Sequence, residues 1–336
     1  MASEDEAIFE RIDAGQAAGR RVALATVIRT WGSAPRRAGS LMAVDEDGGF
    51  SGSVSGGCVE GEVVRAAREA CVAGQPRLLE FTVSDADAWQ VGLACGGQVQ
   101  VYVERCAPTP VYAALRAARA ARQAAALVTR IDDGAHALLG QDATRGDLAL
   151  SAAVVAEVQA RLARNDSGLL AADAALFVRC HVPAPRLFII GAVHIAQALH
   201  AVAQVAGFDV SVIDPRAAFA ASQHFTSVGV IEEWPDAALR RLAPDAGSAV
   251  VALTHDPKLD DPALAVALRS PAFYVGALGS RRTHAQRLER LAAQGLAEEA
   301  RRIHAPVGLD LGGRSAGEIA IAIVAEIIQV RSRPAS

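Results

Sequence analysis

Apolar residues in the first half of the chain form two kinds of run, one at helical spacing and one of strand length. From Glu4 to Ala18 they recur with the period of an amphipathic helix, whereas Val22 to Arg29 is apolar almost throughout. A continuous apolar run of that length predicts a strand in a covered sheet. Further strands are predicted at residues 40–44, 50–54, 78–83, 98–104, 125–130, 135–139 and 174–182, and further helices at residues 59–72, 109–123 and 151–164.

The pattern changes at Arg186, after which strand and helix alternate to the end of the chain. Strands are predicted at residues 186–190, 209–213, 228–231, 249–253 and 272–275, and an apolar helix at 317–331 closes the region. This alternation is typical of a Rossmann-like, doubly wound parallel sheet. Pro183-Ala184-Pro185 is a short, rigid linker immediately before it. The 336 residues therefore predict an α/β protein with two domains, residues 1–183 and residues 184–336.

Composition narrows the class of protein further. The formal net charge of −4 provides no basic excess for a nucleic-acid partner. No uncharged apolar run reaches the roughly 18 residues of a membrane span, and the acidic N-terminus has no signal-peptide core, so we expect a cytoplasmic protein. The five cysteines are an odd number and contain no Cys-x-x-Cys pair, which argues against disulfides and a zinc knuckle. Any functional cysteine is expected to act as a thiol.

The segment Gly52-Ser-Val-Ser-Gly-Gly-Cys-Val-Glu-Gly61 is the most informative stretch of the chain. Each glycine costs about 0.5 to 1 kcal/mol of extra chain entropy, so this concentration indicates a conformation that is needed. Cys58 stands where the next helix begins, and the positive end of a helix dipole lowers the pKa of a thiol. Cys58 is therefore a candidate thiolate ligand or nucleophile, and the alternative is a buried, inert cysteine.

A second cysteine lies beside a glycine pair, in Val91-Gly-Leu-Ala-Cys-Gly-Gly97 at the start of a predicted strand. We expect this loop and the first one to face each other across one sheet, with Cys95 as the partner of Cys58. The turn-rich segment 31–39 contributes two adjacent arginines, Arg36 and Arg37. The other cysteines lie in apolar surroundings and are expected to pack in the core; they are Cys71, Cys106 and Cys180.

The second domain begins with the layout of a dinucleotide-binding fingerprint. A strand leads into Gly191-Ala-Val-His-Ile-Ala196 and a helix, and Asp214 follows Gly191 by 23 residues at the end of the next strand. Val193 stands where the second glycine would let the backbone approach a pyrophosphate. Dinucleotide binding and an inherited scaffold with a closed loop therefore both remain open. If a dinucleotide binds, Asp214 favours the ribose hydroxyl of NAD, while Arg216 suits the 2'-phosphate of NADP.

Polar residues follow the later strands of the same domain. Thr254-His-Asp256 and Gly276-Ala-Leu-Gly-Ser-Arg-Arg282 are expected to project toward one crevice, because ligands bind beyond the carboxyl ends of parallel strands. His255 is a candidate general acid or base, or alternatively the cap of the following helix. The candidate dinucleotide residues are Gly191, Val193, His194, Ala196, Asp214, Arg216, Thr254, His255 and Gly276.

Taken in order, seven motifs of this chain resemble those of the XdhC/CoxI family of accessory proteins for molybdenum hydroxylases. The resemblance extends over about residues 8 to 330. The motifs are Trp31-Gly-Ser-Ala-Pro-Arg36, Gly52-Ser-Val-Ser-Gly-Gly-Cys-Val-Glu60, Gly92-Leu-Ala-Cys-Gly-Gly97, Val212-Ile-Asp-Pro-Arg216, Thr254-His-Asp256, Gly276-Ala-Leu-Gly-Ser-Arg-Arg282 and Pro306-Val-Gly-Leu-Asp310. The resemblance implies an N-terminal XdhC/CoxI domain and a C-terminal Rossmann domain.

The resemblance also implies a function. Such proteins bind molybdenum cofactor (molybdopterin), protect it while a cysteine desulfurase exchanges an oxo for a sulfido ligand, and deliver it to the large subunit of a xanthine dehydrogenase-type hydroxylase. We therefore expect an accessory chaperone, as a homodimer, rather than an enzyme. The alternatives are an NAD(P)-dependent oxidoreductase that uses His255 or Cys58, and a pure interaction protein whose glycine loops are structural.

The implied cofactor site lies in the first domain. The phosphate of the pterin suits glycine-loop N–H groups and arginine side chains. Soft thiolates suit a transition-metal centre, so Cys58 and Cys95 are the candidate contacts to molybdenum. The candidate cofactor-binding residues are Cys58, Cys95, Arg36, Arg37, Ser53, Ser55, Gly56, Gly57, Gly96 and Gly97.

Overall fold

A computed structural model describes residues 4–32, 36–57, 59–83, 97–140, 144–216 and 229–332. Contacts between residues divide the chain into two compact units, residues 2–183 and residues 184–336. The division falls inside the Pro183–Pro185 linker. Both units combine helices with sheets, so the predicted α/β class is confirmed. Among the described residues, none of the helices has the length and apolar character needed to cross a membrane.

The first unit contains a five-stranded antiparallel sheet with the strand order β3-β2-β1-β5-β4. Helix α1 packs on one face and helix α2 on the other, which explains why nearly every position of β1 from Val22 to Ile28 is apolar. The elements are α1 (Glu4–Ala17), β1 (Val22–Gly32), β2 (Leu41–Asp45), β3 (Phe50–Gly52), α2 (Glu60–Ala73), β4 (Arg77–Val83) and β5 (Gly97–Arg105).

A second antiparallel sheet completes the first unit, with the strand order β8-β7-β6-β10-β9. Helices α3 and α4 begin at hydroxyl caps, Thr109 and Ser151, whose side chains accept backbone hydrogen bonds. One core cluster joins both sheets through α1 and α3. The elements are α3 (Pro110–Ala120), β6 (Ala125–Arg130), β7 (His136–Leu139), β8 (Thr144–Gly146), α4 (Ala152–Arg164), β9 (Gly168–Leu169) and β10 (Leu176–His181).

The second unit is a six-stranded parallel sheet with the order β13-β12-β11-β14-β15-β16, which confirms the predicted doubly wound arrangement. Helices α6, α7 and α8 cover one face, and α5 and α9 cover the other. The elements are β11 (Arg186–Ile190), α5 (His194–Val205), β12 (Asp209–Ile213), β13 (Val230–Ile231), α6 (Pro235–Leu242), β14 (Ser248–Ala252), α7 (Pro257–Arg269), β15 (Tyr274–Ala277), α8 (Arg281–Ala292), β16 (Ile303–His304) and α9 (Ala316–Ser332).

The strand order of the second unit reverses between β11 and β14, which pair in parallel with Ile190 opposite Ala252. Their carboxyl ends therefore lie side by side, and such a point is where α/β sheets bind ligands. One prediction at this edge is wrong. Strand β15 continues to Ala277 instead of ending at Val275, so Gly276 belongs to the sheet and not to the crevice. A Cβ atom at Gly276 would lie 2.6 Å from Cγ2 of Val307, so glycine is needed there for packing.

Candidate functional site

The candidate cofactor residues of the first unit gather at one edge of its first sheet. Strand β3 ends at Gly52, opposite Met42 near the start of β2. Strands β1 and β4 end at Gly32 and Val83, and both of these residues pair with Gly97, the first residue of β5. Since these strands are antiparallel, the ends of β1, β3 and β4 and the starts of β2 and β5 share this edge. The glycine-rich loop and both arginines lie there.

Glu60, the first residue of α2, organises the glycine-rich loop. Its Oε1 atom accepts hydrogen bonds from the Ser53 hydroxyl at 2.6 Å and from three backbone N–H groups, and its Oε2 atom accepts from the Ser55 hydroxyl at 2.5 Å and from one N–H group. The backbone donors and their N···O distances are Val54 (3.3 Å), Ser55 (3.0 Å), Gly56 (3.1 Å) and Gly57 (2.9 Å). The carboxylate therefore ties five consecutive residues, 53–57, to the start of the helix.

This hydrogen bonding fixes the charge of Glu60. Burial favours the neutral acid, but the hydroxyls of Ser53 and Ser55 and the N–H of Ser55 outweigh it and lower the pKa of Glu60 to about 2. The side chain also lies at the positive end of the α2 dipole, which favours a negative charge. Glu60 is 8% exposed and carries a full negative charge at neutral pH.

The loop N–H groups expected to hold a phosphate thus already donate to a carboxylate of the chain itself. Ser53, Ser55, Gly56 and Gly57 are brought together as predicted, but around Glu60. Sequence reasoning missed Glu60 as a functional candidate. The available signal was an acidic residue in the first turn of a helix that follows a donor-rich loop.

Arg36 is attached to the same loop, because its Nε atom donates to the carbonyl oxygen of Ser53 at 3.1 Å. Arg37 is exposed beside it. Gly57 is exposed as well and has a positive φ of 128°. Apart from Gly57 and its chain neighbours, the described residues have no atom within 4 Å of a Cβ atom built on Gly57. The edge therefore combines arginine side chains with loop backbone that is open at Gly57.

Cys58, Cys95 and Gly96 lie outside the described residues, so their facing arrangement across the sheet stays a prediction. The remaining cysteines are buried free thiols, which confirms their expected packing role. Burial raises the pKa of Cys71 to about 11 and also raises the pKa of Cys106 and Cys180. These three are protonated at neutral pH. Across the described ranges, no three His, Cys, Asp or Glu side chains gather as metal ligands.

The fingerprint loop of the second unit closes on Asp214. Oδ2 of this fully buried carboxylate accepts from the Ala192 N–H at 2.8 Å, and Arg216 donates to both oxygens at 2.9 and 2.7 Å. Burial favours the neutral acid, but the hydrogen bonds from Arg216 and Ala192 outweigh it and lower the pKa of Asp214. Asp214 and Arg216, expected to contact a ribose and its phosphate, therefore bind each other.

Thr254 covers the same loop. Gly191 has a φ of 103°, and a Cβ atom there would lie 2.5 Å from Cγ2 of Thr254. Thr254 is itself held by Asp260, whose Oδ1 accepts from its hydroxyl at 2.7 Å. Val193 precedes the first residue of α5, His194, and Ala196 is buried in that helix. Gly191, Val193, His194 and Ala196 belong to this loop and the start of α5, and their role in dinucleotide binding stays a prediction.

The alternative role of His255 as a helix cap is wrong. Asp256 caps α7, since its side chain accepts from the Lys258 N–H at 3.0 Å. His255 is exposed and has a left-handed φ of 61°, which is uncommon for a residue other than glycine. Nδ1 of His255 lies 3.9 Å from the Cβ position of Gly279, so the loops after β14 and β15 adjoin. The acid–base candidate therefore lies beside the loop after β15, and its catalytic role stays a prediction.

Comparison with known families divides the chain in the same way. Residues 16–82 match the XdhC and CoxI family, and residues 187–327 match the XdhC Rossmann domain. The first match contains the glycine-rich loop and both arginines. The second contains the whole of the fingerprint loop and the crevice.

Relatives match along almost the full length. The chain is 30% identical over 315 residues to the molybdenum cofactor insertion chaperone PaoD of Escherichia coli, which covers 93% of this chain and 84% of that protein. It is 28% identical over 319 residues to a probable xanthine dehydrogenase subunit from Bacillus subtilis, with 93% and 94% covered. A solved structure described as a xanthine dehydrogenase from Bacillus halodurans superposes with a TM-score of 0.74 at 25% identity, over 99% and 97% of the two chains.

Proposed function

Because the chain belongs to the XdhC and CoxI family, we propose that it is a molybdenum cofactor chaperone that inserts the cofactor into a xanthine dehydrogenase-type hydroxylase. The observation that carries this proposal is the likeness to an insertion chaperone over 93% of the chain. The sheet edge supports it, since the family match of the first unit includes the Glu60 loop and the two arginines. The chain acts as an accessory factor and not as the hydroxylase.

The cofactor binds at the edge formed by β1, β3 and β5. The guanidinium groups of Arg36 and Arg37 hold the phosphate of the pterin, because one planar guanidinium group can donate two parallel hydrogen bonds to phosphate oxygens. Thiolates from Cys58 and Cys95 contact the molybdenum centre, which prefers soft ligands. Since the loop amides already donate to Glu60, the arginines supply most of the phosphate affinity.

The partners follow from this role. A cysteine desulfurase supplies the sulfur while the cofactor is held, and the large subunit of the hydroxylase receives it. A homodimer in the cytoplasm is the assembly that we propose. The NAD(P)-dependent oxidoreductase alternative finds no support in the fingerprint loop, because the Ala192 N–H and Arg216 are bound to Asp214.

The test is reconstitution. The purified chain is mixed with extracted molybdenum cofactor, binding is measured by fluorescence of the pterin, and transfer is followed as activity of an apo-hydroxylase. Cys58→Ala, Cys95→Ala and Arg37→Ala should each weaken binding, whereas Arg65→Ala should not, because Arg65 lies exposed on α2 and pairs with Glu62. A wild-type chain that neither binds cofactor nor activates the hydroxylase contradicts the proposal. Unchanged binding in both cysteine variants removes the thiolate contacts from it.

A further inference from the structure

We propose that Glu60 is the positioning residue of the cofactor site. Its carboxylate holds the glycine-rich loop in one shape and so sets the affinity for the cofactor without contacting it. This inference rests on the proposed function. It adds a buried residue that acts through its hydrogen bonds to the loop.

The loop cannot hold this shape by itself. Gly52, Gly56 and Gly57 have φ angles of 88°, 92° and 128°, a region that glycine enters readily and leaves as readily. The backbone N–H groups of such a turn need hydrogen-bond acceptors where they are removed from water. The Glu60 carboxylate meets four of these donors, together with two serine hydroxyls.

The charge of Glu60 makes the arrangement strong. Hydrogen bonds to a carboxylate are about twice as strong as those between neutral groups, and six of them converge on the two oxygens of Glu60. Binding to a loop that is already ordered avoids the entropy cost of ordering it during binding. The position of Arg36 depends on the same loop conformation, because its Nε atom donates to the carbonyl oxygen of Ser53.

The location of Glu60 suits a residue that positions the loop without contacting the cofactor. Only 8% of the residue is exposed, and its two oxygens face the loop donors. By contrast, Glu62 in the same helical turn points outward, pairs with Arg65, and has a side chain that is 47% exposed. The two glutamates share one helix dipole and differ in the loop contacts, so Glu62 is a matched control.

The experiment compares Glu60→Ala and Glu62→Ala in the full chain. Removing an outer residue that orients a binding site typically costs about 10- to 100-fold in affinity or activity, and we expect a loss of that size for E60A. Hydrogen exchange at the amides of residues 54–57 should become faster in E60A and stay unchanged in E62A. Acetate, which fits the space left by the side chain, should restore affinity and protection in E60A alone.

The outcomes separate the two proposals. A wild-type chain that binds no cofactor defeats the proposed function, while the exchange measurement still tests the hold of Glu60 on the loop. An E60A chain with wild-type cofactor affinity, or with unchanged exchange at residues 54–57, overturns the inference. If E60A does not fold, the double variant Ser53→Ala and Ser55→Ala removes two donors and leaves the carboxylate. It should show a smaller loss of affinity, and wild-type affinity there overturns the inference too.

Discussion

Two glycine-containing loops, residues 52–57 and residues 191–193, both supply acceptors to their backbone N–H groups, but they do so in different ways. Both lead from a strand into a helix, and both direct backbone N–H groups at a carboxylate of the chain. In the first loop the carboxylate is Glu60, from the helix that follows at once. In the second it is Asp214, from the end of the next strand. Neither set of donors awaits an external anion.

The difference lies in how each loop is covered. Asp214 is neutralised by Arg216, and Thr254 packs against Gly191, so the second loop is filled by the chain. The first loop holds Glu60 with hydroxyls and amides, and its Gly57 faces open space among the described residues. A glycine pattern therefore predicts a turn rich in donors, while the covering residues decide whether the turn can serve a ligand.

The largest effect is expected from Asp214→Ala. This change leaves the buried Ala192 N–H and the Arg216 guanidinium without their acceptor, and should lower the free energy of unfolding by about 3 kcal/mol. Urea denaturation measures it, with Glu298→Ala as the control because Glu298 pairs with Arg301 at an exposed position. Cofactor affinity should not change. If Asp214→Ala instead lost cofactor affinity and kept the stability of the wild type, the second loop would serve a ligand and would not differ from the first.

A pH titration should reveal the charge of the first loop. The pKa of Glu60 is about 2 when folded and 4.5 ordinarily, so its stabilisation is complete above about 4.5 and disappears as the pH falls toward 2. At pH 6 we expect the free energy of unfolding of the wild type to be about 2 kcal/mol larger than that of Glu60→Gln, after allowing for solvent screening. Urea denaturation at a series of pH values should show this difference shrinking below pH 4.5. A constant difference would mean that the carboxylate charge is not its source.

Glycine substitutions should differ between the loops. Gly191→Ala combines a positive φ with a clash against Thr254 and should cost about 2 kcal/mol of stability. Gly57→Ala meets only the positive φ and should cost about 1 kcal/mol, while changing cofactor affinity. Thermal unfolding and cofactor titration of the two variants measure both effects. Equal destabilisation would show that Thr254 does not close the second loop.

The smallest effect is expected from added dinucleotide. At about 1 mM, a ligand with a Kd of about 0.1 mM would add about 1.4 kcal/mol of stability. Because Asp214 is engaged internally, we expect no change in thermal unfolding with NAD, NADH, NADP or NADPH. A rise in the unfolding temperature with one of these dinucleotides, absent in Asp214→Asn, would show that the second loop is a binding site.

Continuous apolar runs made much of the fold predictable. Val22 to Ile28 buries side chains on both faces of β1, and the runs at 186–190 and 209–213 became β11 and β12 with the same bounds. Strand ends were less predictable, because pairing and packing with distant residues decide them. Strand β15 extends to Ala277 because Gly276 and Ala277 still pair with β14.

The sequence predicted which segments form the candidate sites, but it did not predict which side chains contact each other within them. Spacing located Asp214, and the glycines located the first loop. The partner of each depends on side chains that the folded backbone directs inward, as Arg216 and Glu60 show. Asp256 replaced His255 as the cap for a similar reason, since carboxylates accept from free N–H groups at helix starts and a left-handed His255 lies outside the turn.

The hydrogen bonds of Glu60 all join residues within seven positions of one another along the chain, and this has a kinetic consequence. Closing a chain segment of about ten residues takes on the order of 10 to 100 ns. Once opened, the loop can therefore re-form within a single encounter between proteins, because it needs no distant part of the chain. Uptake and release of a cargo at this edge would then proceed at the pace of protein association, with no delay from the reassembly of the loop.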